Sequence, residues 1–195
     1  MDSTSAILLR KFRLTETSLI VTWFTEAHGK IKTVAKGARR PKSPFAGRLD
    51  LFFSAEITVS RSAKSELHSL REVAVRDPRE GLRTSYERTR MAAYFVELVE
   101  MTTEPDHPVP EIFDLLRRAL DHLAVNEPSR RALLHFEREL SGILGVTGVF
   151  NPDTAPSTAI TRLTGGTLPP DRAKLLASVD AAAQKREQVA TAVAS

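Results

Sequence analysis

The chain contains no cysteine among its 195 residues. Disulfides and thiolate metal sites are thereby excluded, and a reducing cytosol is the expected setting. Long apolar runs are missing too. The first one, Ala6 to Leu9, is cut by Arg10-Lys11, too early for a secretory signal, and none is long enough to span a bilayer. Aromatics make up 6% of the chain, with a single tryptophan, so any stacking contact must come from few positions. Gly165-Gly166 lacks the lysine and the strand–helix context of a phosphate loop. The five histidines, at 28, 68, 107, 122 and 135, show no metal-ligand spacing. His135, beside Phe136, reads as a packed or surface residue. Glu97, Glu100 and Glu104 stand at i, i+3 and i+7, the pattern of a solvated helix face. No Ser/His/Asp set can be assembled from spacing. Neither an enzyme, nor a metal, nor a cofactor is expected.

The most informative absence is local. From Ala27 to Leu49 there is no Asp or Glu, while Lys30, Lys32, Lys36, Arg39, Arg40, Lys42 and Arg48 all fall inside that window. The formal net charge of the whole chain is only +4, so the remainder sums to −3. Basicity is thus a patch, and a patch of one sign points to a phosphate backbone as partner. His28-Gly29-Lys30 reads as a turn entering a strand. Along it Lys30, Lys32, Val34 and Lys36 share one face, and Ile31, Thr33 and Ala35 take the other, toward a core. Gly37 ends the strand, and Ala38 to Gly47 is a loop stiffened by Pro41 and Pro44. The seven cations form a continuous track.

Residues 6–76 carry strand signals: 6–13, 18–25, the GKIKTVAK segment, 51–60 and 66–75. In 51–60, Leu51, Phe53, Ala55, Ile57 and Val59 are expected to point inward. Five short strands suit a small closed barrel, either an OB-fold or an SH3-like barrel. Trp23 and Phe24 lie on opposite faces of the second strand. Phe24 is expected in a core or domain interface. Trp23 is either a core residue or a base-stacking platform beside the lysines, and joins the candidate DNA-binding residues on the second count.

At Asp77-Pro78 the hydrophobic period changes from 2 to 3.6, placing a domain boundary near residue 80. Thr84 to Glu87 has capping-box spacing, followed by a helix over about 85–103 striped by Met91, Phe95, Leu98, Val99 and Thr102. A second helix starts at Pro110 and carries Ile112, Leu115, Leu116, Ala119, Leu120 and Leu123. A third, with Leu133, Phe136, Leu140, Ile143 and Leu144, stops at Gly145. Residues 151–170, with four prolines and two adjacent glycines, are expected to be loop or disorder, and a last helix begins near Asp171.

The HGK turn together with VAKGARRPKS (34–43) and Phe45 resembles the signature of the RecO recombination mediators. Leu8–Arg10, Ile20-Val21 with Phe24-Thr25, Leu67 with Leu70-Arg71-Glu72, Ala92-Ala93-Tyr94 with Glu97-Leu98, and Phe136-Glu137 with Leu140 and Leu144-Gly145 also match. The similarity covers roughly residues 5–150. It implies an α+β protein: a five-stranded OB-fold barrel over 1–80, then an all-helical domain over 81–195. It further implies binding of single- and double-stranded DNA, annealing of complementary strands, and help in loading RecA onto DNA coated by single-strand-binding protein, with RecR as partner. A cytoplasmic, nucleoid-associated protein away from any membrane follows. Many relatives carry a four-cysteine zinc module after the third helix. Here the corresponding 151–170 segment has no cysteine, so no zinc is expected. An RNA-binding OB-fold protein, or a protein-interaction scaffold whose basic loop takes an acidic peptide, are the alternatives.

Overall fold

A computed structural model describes residues 1–146 and 155–193. The chain divides into two units, one made of Met1–Arg79 with Thr103–Arg117, the other of Glu80–Thr102 with the chain from Arg118 onward.

The first unit is an OB-fold barrel of β1 (Asp2–Arg13), β2 (Leu19–Thr25), β3 (Gly29–Ala35), β4 (Ser54–Ser60) and β5 (Leu67–Asp77). It closes in the order β1-β2-β3-β5-β4, with β3 and β5 parallel and every other pair antiparallel. Strict alternation builds the interior. Ala6 and Leu8, Val21 and Trp23, Ile31 and Ala35, then Ala55, Ile57 and Val59 all enter one apolar cluster. A bulge between Leu8 and Arg10 resets the phase of β1. Before it, Leu8 faces the core opposite Trp23. After it, Lys11 stands opposite the core residue Val21, while Arg10 and Phe12 turn to the outer face with Thr22 and Ile20.

The strand expected to begin at Leu51 begins instead at Ser54. The Asp50 carboxylate accepts from the Leu51 amide at 2.9 Å, and Phe52 adopts a left-handed φ of 69°, so 51–53 form a turn that leaves Leu51 exposed. Phe52 N–H donates to Leu8 O at 2.9 Å and Leu8 N–H to Phe53 O at 3.0 Å, closing that turn onto β1.

Residues 103–109 run along the barrel at β3. Asp106 N–H donates to Lys30 O at 3.0 Å. Gly29, with φ 67°, lies so close that a Cβ there would meet the His107 carbonyl oxygen at 2.0 Å. Only glycine fits both the conformation and the approach. The first turns of the helix from Pro110 belong to the same unit and set Phe113 against Phe24, ring centroids 6.3 Å apart. Phe24 is fully buried on the outer face of β2, as Trp23 is on the inner one.

The second unit holds a 3₁₀ turn (Glu80–Arg83), α1 (Tyr86–Thr102), the second half of α2 (Pro110–Val125), α3 (Arg130–Ile143), α4 (Pro156–Leu163) and α5 (Arg172–Val193). The N-terminal cap of α1 is Ser85, whose hydroxyl accepts from Arg88 N–H at 3.2 Å, rather than Thr84, which is turned back to Gly81 O. Ser129 caps α3 through Ala132 N–H at 3.1 Å, and Gly145 in the left-handed region ends it. Phe95 of α1 stacks on Phe136 of α3 at 4.0 Å. Helix α4 corrects the expectation of loop over 151–170. Pro156 starts it, where a missing amide costs nothing, and Ala159 and Ile160 are buried. Residues 151–154 of that stretch lie outside the described residues.

Candidate nucleic-acid interface

Leaving β3 at Ala35, the chain makes a succession of tight turns. Amides of Ala38, Arg40, Ser43, Ala46 and Arg48 donate to the carbonyls of Ala35, Gly37, Arg40, Ser43 and Phe45, each three residues back, at 3.0–3.4 Å. Phe45 and Leu49 drop from this loop into the barrel core. The loop is also tied to the β1–β2 turn: Arg39 N–H donates to Thr17 O at 3.0 Å, Arg39 Nη1 to Glu16 O at 3.0 Å, and Gly37 N–H to Ser18 Oγ at 3.4 Å. At its far end Arg48 Nη1 donates to Val73 O at 3.1 Å on β5. Backbone and apolar anchors, with the Arg39 and Arg48 guanidiniums, fix the segment, and Lys36, Arg40 and Lys42 are not needed to hold it.

The expected site residues separate by role. Lys32, Lys36, Arg40 and Lys42 are exposed, and no ion pair of theirs occurs among the described residues. Arg39 is exposed and shares its guanidinium with the Glu16 carbonyl. Arg48 is exposed at the β5 side. Lys30 is different: half-buried, it donates from Nζ to Thr103 O at 2.7 Å, part of the docking of 103–109. Trp23 as a stacking platform is corrected. It has 0% exposure, and its indole N–H donates to Thr33 Oγ1 at 2.9 Å, with that hydroxyl passing on to Val21 O at 3.3 Å. A ring on the core face of a closed barrel has no solvent side to offer a base.

Two features escaped the sequence reading. Phe12 stands 53% exposed on the outer face, in one cross-strand row with Ile20 and Val34. In the helical unit, Tyr94 Oη donates to Glu137 Oε1, which also receives Arg172 Nε. Burial, and next the Glu137 charge, push the Tyr94 phenol far above its usual value; the hydrogen bond to Glu137 raises the Arg172 guanidinium further. Residues 94, 137 and 172 are too far apart in sequence for any periodicity to link them. No group of three or more His, Asp or Glu among the described residues is placed to hold a metal ion, and no helix among them is long and apolar enough to cross a membrane.

Residues 1–79 match the family description "Recombination protein O N terminal", and residues 83–157 match "Recombination protein O C terminal". The chain belongs to the RecO family. The DNA repair protein RecO of Rhodopirellula baltica is 36% identical over 140 residues, covering 72% of this chain and 52% of its own length. That of Salinibacter ruber is 35% identical over 144 residues, 73% of this chain and 55% of its own. That of Methylococcus capsulatus is 35% identical over 140 residues, 72% and 56%. The chain thus spans about half the length of the curated RecO relatives it matches. The two family matches meet between 79 and 83, at the passage from β5 into the helical segment.

Proposed function

We propose that this RecO-family chain binds DNA through the basic β3–β4 segment, without reading sequence, and anneals complementary strands during recombinational repair. The observation that carries the reading is the row of exposed cations without an acidic partner, Lys32 on β3 and Lys36, Arg40 and Lys42 on the loop that follows, which other groups anchor. Unpaired, solvated ammonium and guanidinium groups neutralise phosphates at little desolvation cost, and counterion release supplies the affinity. Annealing asks for no more: two backbones repel until their charge is screened, and base pairing then selects the partner. No nucleotide hydrolysis is required. Arg39 and Arg48 extend the track, and Lys30 contributes to it only by shaping β3.

Membership of the family supports a role in handing single-stranded DNA to RecA, from DNA coated by single-strand-binding protein and together with RecR, in the bacterial cytoplasm near the nucleoid. Titrating a single-stranded oligonucleotide at a series of salt concentrations tests the binding. A log–log slope of about −3 to −5 is expected if ~4–7 phosphates are neutralised. A slope near zero, or equal affinity for RNA and DNA strands, counts against it.

A further inference from the structure

On the outer face of β1–β2–β3 part of the apolar surface is covered. Ile7, Leu9 and Phe24 are buried there. Beyond the bulge the cover stops. Phe12 stands opposite Ile20, and Ile20 opposite Val34, the latter two only half-buried. Leu14, at 43% exposure, follows in the turn. On β3, Lys32 lies two residues before Val34 on this same face, and the exposed Lys36 follows the strand's last residue, Ala35, in the turn. Cross-strand neighbours stand ~5 Å apart and same-face neighbours along a strand ~7 Å apart. An exposed phenyl ring thus stands two strands, ~10 Å, from the cationic edge begun by Lys32, with Ile20 between them.

We propose that Phe12 is a stacking platform for an unpaired base, with Lys32 and Lys36 taking the flanking phosphates, and that it gives the interface a preference for single strands. The inference rests on the reading of the basic segment as a phosphate-binding track. Charge complementarity selects the occupant. A second apolar protein surface laid on Phe12 would strip water from both lysines without pairing them, whereas a nucleotide brings an aromatic face and an anion together. In a duplex the faces of the bases are already stacked, so Phe12 has nothing to gain there. Phe12 is not needed for the core, and its loss leaves the phosphate contacts in place.

The experiment compares wild type, F12A and F12W for binding to a single-stranded oligonucleotide, to the matched duplex, and to a single strand with abasic sites throughout. F12A is expected to lose about fivefold to hundredfold in single-strand affinity, the range measured for removing one stacked base. Duplex affinity and the salt slope should stay within about twofold. F12W should keep single-strand affinity, and its added indole emission should be quenched by the strand. The abasic strand should bind wild type as weakly as the base-bearing strand binds F12A. Thermal melting of each variant accompanies the titrations, and the abasic arm needs no variant at all. If wild type binds abasic and base-bearing strands equally, with a clear salt slope, the platform is overturned and the phosphate track stands. If wild type binds no strand in a salt-dependent way, the track falls and the platform with it.

Discussion

Arg172 grips Glu137 at two points, Nε on Oε1 at 2.6 Å and Nη2 on Oε2 at 2.8 Å, and Glu137 has no exposed surface. A carboxylate so placed depends on that fork, because desolvation of an unpaired charge costs more than the pair gains. Arg172→Ala is expected to lower unfolding free energy by about 3 kcal/mol, the low end for breaking a buried pair, since Arg172 keeps some solvent contact. Glu137→Gln with Arg172→Met together should lose less than Arg172→Ala alone. Urea denaturation of the three proteins measures this; a larger loss in the double variant would mean that the pair is strongly favourable in itself.

Tyr94 makes the same cluster sensitive to alkali. Its phenol is held protonated by burial and by the Glu137 carboxylate, so its folded pKa lies above the unfolded value of ~10. Its contribution is complete below that pH and is lost as pH rises past it, when only the unfolded chain can release the proton, by about 1.4 kcal/mol per pH unit. Tyr94→Phe removes the titrating group. The stability gap between wild type and Tyr94→Phe should therefore shrink from pH 9 to pH 11 in thermal melts. A gap that stays constant would place the phenol in contact with solvent.

Trp23 is the only tryptophan, which makes its burial directly measurable. Its emission should be blue-shifted, resistant to acrylamide, and unchanged by saturating single-stranded DNA. Trp23→Ala should cost about 3–5 kcal/mol, as for other large-to-small changes in a core. Quenching by DNA without unfolding would return the indole to the interface.

Arg39 and Arg40 offer a test of the proposed annealing. Their replacement by alanine removes the exposed Arg39 Nη1–Glu16 O bond but leaves the Arg39 backbone amide on Thr17 O and the Phe45 anchor in place, so the melting transition should move little. The salt slope for single strands should become shallower by about 1.4 for two phosphates released. Annealing of complementary oligonucleotides should slow, with the deficit growing as salt rises. Wild-type annealing across the salt range by a folded double variant would remove this loop from the reaction.

Much of this architecture is legible in the sequence wherever a period holds. Lys-Ile-Lys-Thr-Val-Ala alternates, and Ile31, Thr33 and Ala35 are indeed inward. Periodicity fails where the backbone changes phase. Ala6, Leu8, Arg10 and Phe12 share parity, yet the bulge at Leu9 sends the first two inward and the last two outward. Alternation also says that Trp23 and Phe24 oppose each other without saying which is inside. Here both are buried, because Phe113 covers the outer one. In 156–163 the nearby prolines and glycines mask a helix of two turns with only Ala159 and Ile160 to mark its buried side. Of the expected cations, pattern could not tell that Lys30 is spent on the Thr103 carbonyl, a contact across 73 positions.

The hydrogen bonds from the basic loop to Thr17 and Ser18 have a practical consequence for reporting on this protein. The polar turn at 14–18 looks like a neutral place for a tag or a fluorophore, but it is hydrogen-bonded to the cationic segment through Glu16, Thr17 and Ser18. An insertion there would disturb binding, while a small probe would sense it. Because the chain has no native cysteine, Thr17→Cys offers a single attachment point, and a dye placed on it would read strand capture from beside the loop without occupying it.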